Sequence, residues 1–96
     1  MKNLNKRIAV VGATGAVGRV FLELLEENFS GKKDLHLLAS KKSEGKLISC
    51  GDQQFQVKDL STFDFSSADI AFFSAGADIS GEFAPIALSQ GCTVID

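Results

Sequence analysis

The sequence is poor in the features that mark several large protein classes. It has 96 residues with only two cysteines, one proline and one histidine, and it contains neither tyrosine nor tryptophan. Cys50 and Cys92 are isolated and form no C-x-x-C motif, so a reducing, cytoplasmic setting is expected. The net charge of −2 gives no general electrostatic reason to bind nucleic acid or an anionic membrane.

Long apolar stretches and biased segments are missing as well. No apolar run approaches the roughly 18 residues of a membrane span, and the charged residues 1–7 lead into a short strand pattern, not a secretory signal. No repeat or low-complexity segment is visible. The hydrophobic content of 45% beside 23% charged residues is ordinary for one small globular domain.

The most informative stretch is glycine-rich and spans residues 8–19, Ile-Ala-Val-Val-Gly-Ala-Thr-Gly-Ala-Val-Gly-Arg. A buried strand pattern ends at Gly12, glycines recur at Gly15 and Gly18, and an amphipathic helix pattern begins. Gly12 would let the chain turn sharply, Gly15 would let backbone approach a pyrophosphate, and Gly18 would let the helix pack close to the sheet. The spacing is one residue longer than G-x-G-x-x-G, so the match is one of mechanism.

Hydrophobic periodicity predicts strands alternating with two helices. The first helix should bury a stripe and end near Asn28, and the stripe consists of Val17, Val20, Phe21, Leu24 and Leu25. The second helix should run from about Asp78 to Gln90, with Pro85 producing a kink or a separate first turn, and its buried face consists of Ile79, Phe83, Ile86 and Ala87. Strands are expected at residues 7–12, 34–40, 69–74 and 92–96, and a connector at 60–68. Residues 47–50 and 53–58 should form a β-hairpin or a pair of short edge strands.

This order predicts an α/β fold, a Rossmann-like, mostly parallel and doubly wound sheet with a β-hairpin insertion. Helices should cover both faces of the sheet. The chain ends where a strand ends, and ligands of such sheets bind just beyond that edge. We therefore expect one domain over residues 1–96, an incomplete dinucleotide-binding domain truncated before a catalytic domain.

The end of the second strand bears on the choice of coenzyme. NAD-binding folds usually place a carboxylate there for the ribose 2′-hydroxyl, whereas this chain has Ser40, Lys41, Lys42 and Ser43. Hydroxyls and an ammonium can bind a 2′-phosphate that a carboxylate would repel. The sequence therefore favours NADP, and the alternative is that the lysine pair belongs to a solvated loop.

Four segments together resemble the aspartate-semialdehyde dehydrogenase family over essentially the whole chain. They are residues 10–19, 37–46, 69–76 and 93–96. The first is shared by several dehydrogenase families, and the second and third at this separation are more specific. The resemblance implies a cytoplasmic homodimer or homotetramer that converts β-aspartyl phosphate to aspartate semialdehyde with NADPH, in the biosynthesis of lysine, threonine and methionine.

The resemblance also implies three groups of coenzyme-binding residues. The pyrophosphate group comprises Gly12, Thr14, Gly15, Ala16 and Val17. The 2′-phosphate group comprises Ser40, Lys42 and Ser43, and the third group, which lines the dinucleotide through backbone, comprises Ser74, Ala75 and Gly76. Family members often carry arginine where Lys42 stands, and lysine lacks the bidentate fork, so the preference for NADP could be less strict.

The family's catalytic cysteine and histidine lie in a later region and have no counterpart here. Cys50 and Cys92 are expected to be small buried residues, and His36 is expected to be structural. The chain alone should therefore show no turnover. Two alternatives stay open: another acyl-phosphate or short-chain-type reductase, and a non-catalytic nucleotide-sensing module. The short-chain class needs a Tyr-x-x-x-Lys pair, and this chain has no tyrosine.

Overall fold

The computed structural model of the chain describes residues 2–96. In chain order the strands and helices are β1 Lys2–Asn3, β2 Arg7–Val11, α1 Ala16–Asn28, β3 Phe29–Ser30, β4 Asp34–Ala39, β5 Leu47–Cys50, β6 Gln53–Gln56, β7 Lys58–Asp59, β8 Ile70–Phe73, α2 Ala77–Ser89 and β9 Thr93–Ile95. Short 3₁₀ turns at Lys41–Ser43, Leu60–Thr62 and Phe65–Ser67 connect some of them.

A five-stranded sheet with the order β7-β4-β2-β8-β9 forms the centre of the molecule. Its neighbouring strands are all parallel. Numbered along the chain, these strands lie in the order 3-2-1-4-5, which is the order of the dinucleotide-binding doubly wound fold. The prediction of a Rossmann-like, mostly parallel sheet is confirmed.

Each face of this sheet has its own apolar cluster. On one face Leu22 and Leu25 of α1 pack with Val10 and Leu37 of the sheet, and the rings of Phe21 and Phe72 stack with centroids 3.9 Å apart. On the other face Ala87 of α2 packs with a cluster that includes Val11, Leu38, Phe65 and Phe73. The predicted placement of helices on both faces is confirmed, and the 60–68 connector packs Phe65 beneath α2.

The buried stripe predicted for α1 is wrong in three of its five positions. Val17, Val20 and Leu24 are 58%, 54% and 50% exposed. The buried face instead consists of Gly18, Leu22 and Leu25, with Phe21 at its side. The helix is rotated relative to the predicted face. The reason is that Gly18, which has no side chain, packs directly against the backbone of the turn between β2 and α1.

The face predicted for α2 is partly wrong as well, since Ile86 is 40% exposed. Ser80 and Ala87 are the buried residues of this helix. One helix runs through Pro85 from Ala77 to Ser89, so the first turn is not separate. It ends as predicted at Gly91, where φ is +99° and Cys92 N–H donates to the Ala87 carbonyl at 3.0 Å, a Schellman-type end.

The predicted β-hairpin is confirmed, although its second strand is shorter than expected. Cys50 pairs with Gln53 across the Gly51–Asp52 loop, and the hairpin strand ends at Gln56. Lys58 instead begins β7, which pairs with β4 at the edge of the main sheet. The hairpin thus occupies the place of a crossover helix, with Ile48 and Cys50 buried beside α1.

The amino ends of β2 and β8 are joined by an ion pair. The Asp69 carboxylate accepts from Arg7 N–H at 2.8 Å, Nε at 3.3 Å and Nη2 at 3.1 Å. These hydrogen bonds from Arg7, mainly those of its side chain, lower the pKa of Asp69 from 3.8 to about 2. The pair fixes the register of two neighbouring strands.

The stabilising effect of Asp69 should therefore be lost in acid. A carboxyl group with a lowered pKa stabilises the fold above its unfolded pKa, and this contribution disappears as the pH falls through the folded value. We expect the melting temperature to fall between pH 4 and pH 2, and to fall less in Asp69→Asn, in melts followed by circular dichroism. Asp52→Asn, in the exposed hairpin loop, should follow the parent protein; equal pH profiles for all three proteins would contradict this assignment.

Candidate functional site

The candidate site lies where the carboxyl ends of β2 and β8 meet. The chain leaves β2 towards α1 and β4 on one side, while β8 lies on the other side of β2. This is the switch point at which open parallel sheets bind ligands. The turn after β2 and residues 74–76 after β8 therefore border the same crevice.

Gly12 shapes the first wall of this crevice. Its φ is +86°, a conformation that side chains disfavour. A Cβ at this position would lie 2.9 Å from Ala75 N and 3.0 Å from Ser74 Oγ. Its N–H donates to the Leu38 carbonyl at 2.9 Å, and that of Ala13 donates to the same oxygen at 3.2 Å. The turn is thus fastened to β4 and touches the segment after β8.

Gly18 controls how closely α1 approaches the turn. A Cβ at this residue would collide with the Gly12 carbonyl oxygen and lie 2.9 Å from Ala13 Cα. Only glycine fits this contact. Gly18 does allow a close approach of the helix, but to the glycine turn after β2 and not, as predicted, to the sheet itself.

The amino terminus of α1 is open and carries no negative charge. Gly15 is the extended N-cap residue, no side chain caps the helix, and its first turn has no acidic residue. Ala16 and Val17 are exposed, and the first N–H to bond back into the helix is that of Arg19, to the Gly15 carbonyl at 3.1 Å. Free N–H groups and the helix dipole make such an end suitable for a phosphate.

The amino terminus of α2 lies near the same crevice but, unlike that of α1, carries a negative charge. Gly76 is its N-cap residue, and Asp78 stands in its first turn. The carboxylate of Asp78 suits the positive end of that helix dipole but would repel an anion. Of the two helix ends, α1 is therefore the one suited to the pyrophosphate.

The side chain of Ser74 has a structural role. Its hydroxyl donates to the Val11 carbonyl at 2.7 Å and lies 3.3 Å from the Gly12 carbonyl oxygen. The hydroxyl thus ties the end of β8 to the glycine turn. Ala75 is half-buried and Gly76 is exposed, so their backbones border the crevice.

Ser40, Lys42 and Ser43 lie at the carboxyl end of β4, next to the glycine turn. The 3₁₀ turn at Lys41–Ser43 exposes Ser40 and Lys42 and leaves Ser43 half-buried. Its shape is held by the Ser43 N–H, which donates to the Ser40 carbonyl at 2.9 Å. Among residues 2–96 no carboxylate lies within 4 Å of the Lys42 ammonium.

The two neighbouring lysines have different electrostatic surroundings. Hydrogen bonds from Ser61 are the main cause of the lowered pKa of Asp59, and the charge of Lys41 lowers it further. Lys41 therefore lies close enough to Asp59 to act on a carboxylate of its own chain. Neither lysine has a carboxylate within 4 Å among residues 2–96, and Lys42 is the one that does not act on Asp59.

Arg19 is a residue of the turn that the sequence reasoning did not assign. Its Nε donates to the Thr14 carbonyl at 3.4 Å, which places a guanidinium beside the exposed side of the turn. The sequence contains a signal for this role, because Arg19 directly follows Gly18 and therefore lies within one helical turn of the glycine-rich loop.

The two cysteines and the histidine do not form a catalytic group. Cys50 is 1% exposed, and its Sγ donates to the Leu22 carbonyl at 3.5 Å; Cys92 is 5% exposed, and its Sγ donates to the Phe65 carbonyl at 3.1 Å. Burial raises the pKa of both thiols, which keeps them protonated. His36 pairs instead with Asp34, its Nε2 lying 3.1 Å from Oδ1. The prediction that both cysteines are buried is confirmed.

The part of the chain that the structure describes has neither a cluster of metal-binding side chains nor a membrane-spanning helix. Residues 2–96 hold no group of three or more histidine, cysteine or acidic side chains placed to bind a metal ion. Neither of the helices in that range is long and apolar enough to cross a membrane.

Comparison with known proteins gives a consistent result. Residues 7–96 match the family described as "Semialdehyde dehydrogenase, NAD binding domain". The "Aspartate-semialdehyde dehydrogenase" of Legionella pneumophila is 52% identical over 89 residues, which are 93% of this chain and 26% of that protein. The chain thus spans about a quarter of the length of this curated relative.

Two solved structures share the fold. Aspartate semialdehyde dehydrogenase II from Vibrio cholerae, described as complexed with ASA, has a TM-score of 0.90 and 44% identity, with 97% of this chain and 30% of that chain covered. The Candida albicans aspartate semialdehyde dehydrogenase, described as a structure with NADP, has a TM-score of 0.73 and 27% identity, with 93% and 28% covered.

Proposed function

Because the chain belongs to the semialdehyde dehydrogenase NAD-binding domain family, we propose that it is the NADP-binding, N-terminal domain of an aspartate-semialdehyde dehydrogenase. The reaction is the NADPH-dependent reductive dephosphorylation of β-aspartyl phosphate to aspartate semialdehyde, a step towards lysine, threonine and methionine. The observation that carries the proposal is the combination of an open, uncharged α1 amino terminus with an unpaired lysine at the end of β4.

In this proposal three groups of residues each bind a different part of the coenzyme. The N–H groups of Ala16 and Val17 bind the pyrophosphate, while Gly12, Thr14 and Gly15 shape the turn, in which the Gly15 N–H donates to the Gly12 carbonyl at 3.0 Å. The second group, which binds the 2′-phosphate, consists of Ser40, Lys42 and Ser43. The third group borders the dinucleotide through backbone and consists of Ser74, Ala75 and Gly76. The coenzyme supplies the hydride when bound. The NADP in the description of the Candida albicans structure supports this choice of coenzyme.

The bond-making chemistry belongs to other parts of the protein. The family's cysteine nucleophile and histidine acid–base have no counterpart here, because both cysteines are buried and His36 is paired with Asp34. We therefore assign to this domain the binding and orientation of the coenzyme, with no turnover by residues 1–96 alone. The full-length enzyme is proposed to be a cytoplasmic homodimer or homotetramer acting on a small-molecule substrate, without nucleic-acid or membrane partners.

The test of the coenzyme assignment is a comparison of the two neighbouring lysines. Hydrogen bonds to charged groups contribute about 1.5–3 kcal/mol, so Lys42→Ala in the full-length protein should weaken NADP binding by roughly 10- to 100-fold. NAD binding should stay unchanged, since NAD has no 2′-phosphate. Isothermal titration of both coenzymes gives the two dissociation constants.

Lys41→Ala is the matched control, because it removes the same charge from the adjacent residue. Its effect on NADP binding should be several-fold smaller, since Lys41 acts on Asp59. A preference of the parent protein for NAD, or equal losses in the two variants, would refute the phosphate assignment. NADP binding without reduction of β-aspartyl phosphate by the full-length protein would instead favour a nucleotide-sensing module.

A further inference from the structure

A cavity of about 400 Å³ lies at the edge of the sheet opposite the coenzyme crevice. It is formed by the end of α1, the segment 29–33 that precedes β4, and the loop of the β5–β6 hairpin. Its volume falls in the range of small-molecule sites, about 300–1,000 Å³. Nothing in the coenzyme assignment uses it.

Lys33 is the unusual residue of this cavity, because it is a lysine with only 8% of its surface exposed. Its ammonium donates to the Gly31 carbonyl at 3.3 Å, and no carboxylate among residues 2–96 lies within 4 Å of it. Burying an ammonium without a counter-charge is unfavourable, and lysine is almost never buried unless it is paired. Lys33 therefore has no ion-pair partner within 4 Å in the part of the chain that the structure describes.

Lys33 is also held firmly in place through its backbone. Its N–H donates to Gln53 Oε1 at 2.7 Å, and Gln53 Nε2 donates back to the Lys33 carbonyl at 3.1 Å. This pair of bonds joins the segment before β4 to the hairpin loop. The backbone that carries this side chain is thus fixed before a ligand binds, which lowers the cost of ordering the site.

The opposite wall is negative. Glu26 lines the cavity from α1, its Cγ lying 4.0 Å from the Cβ position of Gly51, and Asp52 lines it from the hairpin loop. The carboxyl end of α1 reaches the cavity at Phe29, and its last turn carries no basic residue. Both the carboxylates and the negative end of the helix dipole favour a cation there.

Cys50 lies in the wall between these two charges. Burial is the main cause of its raised pKa, while the charge of Lys33 lowers that pKa and the charge of Glu26 raises it. Lys33 and Glu26 thus lie close enough to act on the same buried thiol, and both line the cavity.

We propose that this cavity binds a small zwitterion of the free amino acid class, with its carboxylate on the Lys33 ammonium and its ammonium towards Glu26 and Asp52. A simple anion would make no use of the two exposed acidic side chains, and a simple cation would leave the buried Lys33 unpaired. The zwitterion satisfies both ends, and its site is separate from the coenzyme crevice.

The experiment uses the full-length protein saturated with NADP. The free L-amino acids are screened at millimolar concentration and low ionic strength by thermal shift, and binding is measured by titration calorimetry. A ligand at 100 times its dissociation constant stabilises by about 2.7 kcal/mol, so at least one amino acid should raise the melting temperature. Acetate and methylammonium, each carrying one of the two charges, should bind at least tenfold more weakly.

Lys33→Met tests the site itself, because methionine keeps much of the alkyl chain and the backbone bonds to Gln53. It should weaken amino-acid binding at least tenfold and leave NADP binding unchanged. Lys46→Met, which removes an exposed lysine outside the cavity, should leave both unchanged. If Lys33→Met does not fold, Glu26→Gln provides the same test from the other wall.

Three results would overturn the proposal. The first is that none of the amino acids binds. The second is that acetate binds as strongly as the amino acid. The third is that the affinity for the amino acid is unchanged in Lys33→Met or, if that variant does not fold, in Glu26→Gln. Each readout is a binding constant, so the outcome does not depend on whether the protein reduces β-aspartyl phosphate.

Discussion

Gly18→Ala is expected to destabilise the protein by about 3 kcal/mol, the upper part of the range for overpacking a close contact. The added Cβ would meet the Gly12 carbonyl oxygen and Ala13 Cα, which are backbone atoms and cannot rotate away. The helix must move outward, and the α1 amino terminus moves with it. NADP affinity should therefore fall at least tenfold, as measured by titration, while denaturant unfolding reports the loss of stability.

Gly81→Ala is the matched control for this substitution. Gly81 also lies inside a helix, but a Cβ there would meet nothing within 4 Å. Since alanine is a better helix former than glycine, this variant should gain up to about 1 kcal/mol. Responses of opposite sign at the two helical glycines would show that contact, and not helix propensity, determines the residue at position 18. A neutral Gly18→Ala would contradict the close approach.

Ala16→Asp is expected to separate stability from binding. A carboxylate in the first turn of a helix stabilises it by about 0.3–1 kcal/mol, and α1 has none. The same charge would occupy the place proposed for the pyrophosphate, so NADP affinity should fall by about 100-fold or more, corresponding to at least 2.7 kcal/mol. Thermal melts and coenzyme titration on the full-length protein measure the two effects.

Ala16→Asn controls for the added bulk, since it has the shape of aspartate without the charge. It should weaken NADP binding far less than Ala16→Asp. If aspartate and asparagine weakened binding equally, crowding would be the cause. If neither weakened it, the α1 amino terminus would not be the phosphate site.

The sequence predicts the fold well because each element carries its own signal. Short apolar runs mark β2, β4 and β8, and Gly51 with Asp52 marks the hairpin loop. The rotation of α1 about its axis is not predictable from periodicity alone. Apolar residues cover more than half of its circumference, so two overlapping faces fit the pattern equally well. The close-packing role predicted for Gly18 already required that residue to face the sheet, which would have excluded a face centred on Val17, Val20 and Leu24.

The candidate site is predictable only where backbone constraints dominate. Glycine spacing indicated the turn, and the missing carboxylate after β4 indicated the coenzyme. The difference between Lys41 and Lys42 depends on Asp59, which is distant in sequence and comes near only because β7 pairs with β4. The burial of Lys33 likewise depends on a hairpin loop about 20 residues further along the chain, and no local pattern indicates such a contact.

The Leu38 carbonyl accepts from both Gly12 and Ala13, and this double attachment has a consequence for enzyme engineering. It fixes the distance between the glycine turn and the end of β4, so the frame for the pyrophosphate is independent of residues 40–43. Those residues form an exposed turn after the attachment point. If these residues bind the 2′-phosphate as proposed, replacing residues 40–43 should change the coenzyme preference without altering the glycine turn.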